Sequence, residues 1–126
     1  MSFLLDTHAL AWALFNPDDL SPKVRDLIED EATRVHFSPI SLFEMETKAA
    51  IGKWPWVLPP DWTAPLRNLA VAELPVLSLH GAQAGRLPLY HRDPWDRLLI
   101  AQAQIEGMVL VSLDPVFARY EVNTLW

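Results

Sequence analysis

Four carboxylates, Asp6, Glu44, Asp96 and Asp114, lie far apart in the chain, yet each falls where a strand should end or a helix begin. Asp6 follows the apolar run Phe3-Leu4-Leu5, and Asp114 follows Met108 to Leu113. Asp96 sits in the first turn of a helix opened by Asp93-Pro94, and Glu44 lies on a helix face that should otherwise be buried. In open parallel sheets these places converge beyond the carboxyl ends of the strands. Carboxylates crowded there repel one another and raise each other's pKa. A hard divalent cation such as Mg²⁺ or Mn²⁺ relieves that conflict, because it favours oxygen ligands. Water on such an ion is a stronger nucleophile, and the ion stabilises charge on phosphoryl oxygens. The pattern therefore points to metal-dependent phosphodiester hydrolysis.

Each acid also has a simpler reading. Asp6, Asp93 and Asp114 all precede helical segments as N-caps, and Pro follows Asp93 and Asp114 at the first helical position. Asp96 in a first turn complements the helix dipole. At ~100° per residue, Ile40, Phe43, Glu44, Thr47 and Ile51 share one stripe, which places Glu44 toward the core. A carboxylate there costs several kcal/mol unless it is satisfied, and Lys48 one turn on is its available partner. Leu42, Met45 and Ala49 form a second apolar stripe, which suggests a contact beyond the helix's own core, such as a second subunit.

The elements that must position these acids alternate between apolar runs and helical patterns. Strands are expected at Phe3–Leu5, Arg34–Ser38, Ala72–Leu77, Met108–Leu113 and Val122–Leu125. Helices are expected at Thr7–Phe15, from Ser21-Pro22 to about Glu31, and at Ile40–Ile51, with Gly52 as C-cap. Further helices are expected from a cap at Asp61 to Val71, at His80–Leu87, at Pro94–Glu106 ended by Gly107, and in a turn or two at Pro115–Tyr120. Lys53 to Pro60, rich in Pro and Trp, looks like an exposed loop carrying large apolar groups. Alternating strands and helices predict an α/β class, with right-handed crossovers and a parallel sheet covered on both faces.

A chain of 126 residues suggests one domain, residues 1–126, and its 51% apolar content argues for a compact core. The absence of cysteine excludes disulfides, thiolate metal sites and a Cys nucleophile, and suits a cytoplasmic setting. No signal-like or membrane-spanning stretch is visible. The net charge of −6 opposes a general nucleic-acid binder, because phosphate neutralisation supplies most non-specific affinity. Lys48, Lys53, Arg86, His91, Arg92 and Arg97 are the cations near the acids, and Arg92 and Arg97 bracket Asp96.

Leu4-Leu5-Asp6-Thr7-His8-Ala9-Leu10, Ser38-Pro39-Ile40-Ser41-Leu42-Phe43-Glu44, His91 to Ala103, and Leu110 to Tyr120 occur in order over nearly the whole chain. In these blocks the sequence resembles PIN-domain ribonucleases, and among them the VapC-like toxins of toxin–antitoxin pairs. The resemblance implies a three-layer α/β/α fold and Mg²⁺- or Mn²⁺-dependent cleavage of RNA by water attack. It assigns the catalytic and metal-binding quartet to Asp6, Glu44, Asp96 and Asp114, with Asp6 and Asp96 as the most direct ligands. Thr7, Ser41 and Ser112 would bond the carboxylates or the scissile phosphate, with Arg92 and Arg97 against the RNA. A homodimer and a cognate antitoxin are the partners implied. The Trp54-Pro55-Trp56 loop departs from the family pattern and leaves open which contacts run through it. Two alternatives remain: a non-toxin nuclease of this fold, and a non-catalytic RNA- or protein-binding module. A haloacid-dehalogenase-like phosphatase would need an acid where His8 stands.

Overall fold

The computed structural model describes residues 1–126. Five parallel strands, β1 (Ser2–Leu5), β2 (Arg34–Phe37), β3 (Ala72–Glu73), β4 (Val109–Val111) and β5 (Thr124–Leu125), form one sheet in the order β3-β2-β1-β4-β5. The central strand β1 pairs with β2 through Phe3↔Val35 and with β4 through Leu4↔Leu110. The strand order reverses between β1 and β4, which opens a crevice beyond their carboxyl ends.

Side-chain alternation along the strands divides the core into two. Phe3, Leu5, Val35, Phe37 and Val111 point to one face, where they pack with α1 (Thr7–Phe15) and α2 (Pro22–Glu29). Leu4 and Leu110 point to the other face and meet Leu99, Ile100 and Ala103 of α6 (Pro94–Glu106). A strand flanked by helices on both sides must be apolar at consecutive positions, which is why Phe3-Leu4-Leu5 shows no polar alternation. Helix layers on the two faces of a parallel sheet make the three-layer α/β/α architecture. The helix α5 (Ser78–Arg86) packs on α6, and α3 (Pro39–Ala50) touches both α1 and α6 at the crevice.

Helix starts follow the sequence closely. Asp6, Ser21, Ser38 and Asp93 each accept a backbone N–H of the helix that follows. Asp61 differs, because α4 (Thr63–Leu69) starts after Trp62 and lacks a side-chain cap. The expected strand Ala72–Leu77 ends at Glu73, two residues before Pro75, which lacks the N–H needed to extend the ladder. Strand β4 is also shorter than expected at both ends.

Two packing expectations are overturned. Phe43 and Ile51 are exposed, and the buried face of α3 consists of Ser41, Glu44 and Met45. Because α3 lies against α1 and α6 at the rim, only this narrow strip is covered. Met45, expected on a partner-facing stripe, belongs to the chain's own core. Likewise Trp54 is buried, and Trp56 stacks on Phe15 at 6.1 Å. The Pro/Trp-rich segment thus packs down as part of the α1-side core.

Candidate active site

The carboxyl ends of β1 and β4 are tied together by the Asp6 N–H, which donates to the Val111 carbonyl at 3.0 Å. The chain then diverges, one branch into α1 and the other into the Ser112–Asp114 turn. The start of α3 and the start of α6 close the remaining sides. The result is a cup of about 240 Å³ lined by Asp6, Thr7, His8, Glu44, Lys48, His91, Asp93, Asp96, Asp114 and Phe117. All four expected carboxylates reach it, each from a different element.

The floor is fixed by short polar contacts. Asp6 Oδ1 accepts the Ala9 N–H at 2.8 Å, so the capping role and the site role are filled by one side chain. Thr7 donates to Ser41 at 3.1 Å, and both hydroxyls are buried. The Ser112 hydroxyl accepts the Asp114 N–H, and Asp114 Oδ1 accepts the Val116 N–H, each at 3.0 Å. On the α6 side Asp93 Oδ1 accepts the Asp96 N–H at 3.1 Å. The His91 ring then meets Asp96 Oδ2 at 2.7 Å.

These surroundings are hostile to isolated negative charge. Burial pushes the Asp6 carboxyl up to about 7, against the Ser112 hydroxyl and Ala9 N–H, which lower it; Asp96 and Glu44 raise it further. Burial also raises Asp96 to about 6, with Asp93 and Glu44 adding to the rise and the His91 hydrogen bond opposing it. Glu44 is 3% exposed and pairs through Oε2 with Lys48, while its Oε1 is buried with no partner. An orphaned carboxylate oxygen, two carboxyls raised by burial and a lysine ammonium standing in as the local cation all fit a site for a hard divalent ion. One ligand atom each from His91, Asp93 and Asp96 lie within 4.8 Å of one another, a spacing that also suits an ion.

Other expected residues fall differently. Arg97 is buried, and its guanidinium donates to the carbonyls of Ala84, Leu87, Pro88 and His91 at 2.8–3.0 Å. It is a structural clamp on the preceding loop and is not available to RNA. Arg92 is exposed and does not line the cup. His91, expected only as one of several nearby cations, stands on a site carboxylate. The sequence signal was its place five residues before Asp96, across a Pro-initiated helix start.

The PIN domain family model matches residues 3–123. The chain belongs to the PIN-domain family. No curated protein sequence matches it significantly. Among solved structures, a chain of DNA-bound VapBC from Salmonella typhimurium superposes with a TM-score of 0.73 at 18% identity, covering 99% of this chain and 97% of that one. A chain of VapBC2 from Rickettsia felis, bound to a promoter DNA fragment, gives 0.69 at 14% identity, with 100% and 99% covered. A chain of FitAcB from Neisseria gonorrhoeae gives 0.60 at 18%, with 98% and 96% covered. At these identities the likeness is one of fold, and it extends along the full length of this PIN domain.

Proposed function

We propose that this PIN domain is a metal-dependent endoribonuclease and the toxin of a toxin–antitoxin pair. The observation that carries the reading is the convergence of Asp6, Glu44, Asp96 and Asp114, from four separate elements, on one cup at the switch point of the sheet. Asp6 and Asp96 would hold Mg²⁺ or Mn²⁺ most directly, with Glu44 and Asp114 completing the set. A bound ion supplies Lewis-acid polarisation of the phosphate and lowers the pKa of a coordinated water. His91 holds Asp96 by one oxygen and so fixes its orientation. The Thr7–Ser41 pair keeps the floor polar without adding charge. Lys48 compensates Glu44 and presents an ammonium at the edge of the cup, where a substrate phosphate approaches.

The toxin role is supported by the similar fold of a chain in a toxin–antitoxin complex from Klebsiella pneumoniae, with a TM-score of 0.67 at 16% identity. The partners proposed here are RNA, a cognate antitoxin and a second copy of the chain, in the cytoplasm. No helix is long and apolar enough to cross a membrane.

The test is cleavage of RNA by the purified protein with Mg²⁺ or Mn²⁺, its loss with EDTA, and its loss in Asp6→Asn and Asp96→Asn, each by at least about a hundredfold. Unchanged cleavage in both variants rejects the site. Expression should arrest growth, with relief on co-expression of the antitoxin. Harmless expression of catalytically active protein rejects the toxin role and spares the nuclease.

A further inference from the structure

Beside the carboxylate cup lies a second hollow of about 330 Å³, lined by Asp6, His8, Trp12, Leu113, Asp114 and Pro115. It shares Asp6, His8 and Asp114 with the cup, so the two are contiguous. We infer that this hollow is a nucleobase subsite, holding the unstacked base of a nucleotide next to the scissile phosphate against Trp12 and His8. The inference deepens the ribonuclease reading above and rests on it.

Three features select a base over other occupants. First, no lysine or arginine lines the hollow to hold a second phosphate, whereas a flat uncharged ring needs none. Second, the aromatic wall is braced by neighbouring rings. Trp12 meets Trp126 edge-on at 5.6 Å and His8 at 5.3 Å, and His8 leans on Trp54 at 4.9 Å. A stacking surface held in this way loses little freedom when a ring lies on it. Leu113, exposed two residues beyond β4, and Pro115 complete the apolar wall.

Third, the hollow supplies affinity that the charge of the chain does not. With a net charge of −6, counterion release from phosphate contacts contributes weakly. Base stacking on aromatic side chains is insensitive to that deficit, and it requires an unpaired strand. A subsite of this kind favours single-stranded RNA over duplex.

The experiment uses a short single-stranded oligoribonucleotide that the wild-type protein cleaves, with an abasic residue walked through the positions flanking the cut bond. Cleavage by wild type and equilibrium binding to Asp96→Asn are both measured. At one position adjoining the cut, loss of the base should weaken binding on the order of tenfold. Trp12→Ala, read in the Asp96→Asn background, should lose a similar factor on the intact strand and almost nothing more on the abasic one. Trp12→Phe should restore most of the affinity. Leu113→Ser, at an exposed position that leaves the core untouched and adds no charge, should also weaken the intact strand selectively.

Equal binding of intact and abasic strands at every position, with cleavage preserved, overturns the subsite and leaves the nuclease standing. Additive losses from Trp12→Ala and the abasic position also overturn it, because the base then binds elsewhere. Absence of both cleavage and binding removes the ribonuclease reading and the subsite together.

Discussion

Asp6 carries a conflict within one carboxylate. Its Oδ1 is needed as the cap of α1, yet burial and the nearby Asp96 and Glu44 push its pKa to about 7. Folding therefore favours the protonated form. In the cation-free protein this favourable contribution is complete below the ordinary value of 3.8 and is lost as pH rises through about 7. Asp96, raised to about 6, acts in the same direction. Thermal unfolding in EDTA should occur at lower temperature at about pH 8 than at about pH 5, by several degrees. Asp6→Asn keeps a capping oxygen and removes the charge, so it should flatten that slope and raise the midpoint at alkaline pH. Parallel slopes for wild type and variant would refute the assignment. At this scale the sequence was informative about Asp6, Asp96 and Asp114, because strand ends and Pro-initiated helices are local patterns. Glu44 was located through partly wrong neighbours. Its periodic stripe includes Phe43 and Ile51, which are exposed, because periodicity gives a helix face without saying how wide a strip its neighbours cover.

Among the elements, the loop between α5 and α6 is the least regular part of the site, and it is restrained by two side chains. Arg97 gathers four carbonyls at 3.0 Å or less, from Ala84 to His91. The Tyr120 hydroxyl accepts the His91 N–H and donates to the Pro88 carbonyl, both at 2.8 Å. Together they set the backbone from which His91 reaches Asp96. Arg97→Met should cost about 3 kcal/mol or more, since it leaves buried carbonyls without donors. Tyr120→Phe should cost about 1–2 kcal/mol and lower kcat with little change in KM, because it loosens His91 without touching substrate. Denaturant unfolding and steady-state cleavage measure the two effects. A Tyr120→Phe enzyme with unchanged kcat would show that the loop does not tune the site. Sequence gave the helix carrying Arg97 to the residue but not the burial of Arg97. Its partners are backbone carbonyls 6 to 13 residues away, and carbonyls carry no signature in an amino-acid string. The same blindness hid the Trp54 loop, whose packing against α1 depends on how α3 turns back after Gly52.

For the whole molecule, the cation binding proposed at the acidic rim would couple to stability in one equilibrium. An ion that binds only the folded chain stabilises it by RT ln(1 + [L]/Kd), about 2.7 kcal/mol at a hundredfold excess over Kd. Because Asp6 and Asp96 must lose protons to bind it, the gain should be large at about pH 8 and small at about pH 5, opposite in direction to the intrinsic slope. Saturating Mg²⁺ or Mn²⁺ should thus flatten the pH dependence of the unfolding midpoint between about pH 5 and about pH 8, and EDTA should restore the slope. The shift should vanish in Asp6→Asn and Asp96→Asn. It should persist in Asp30→Asn, which alters the separate acidic hollow formed by Glu29, Asp30 and Glu31 at the far side of the fold. Equal stabilisation of all these proteins would mean that the ion acts on the −6 net charge as a diffuse counterion, and that the four converging carboxylates do not form a binding site. Calorimetry at low and high ionic strength separates the cases, since a coordinated ion survives screening and an ion atmosphere does not.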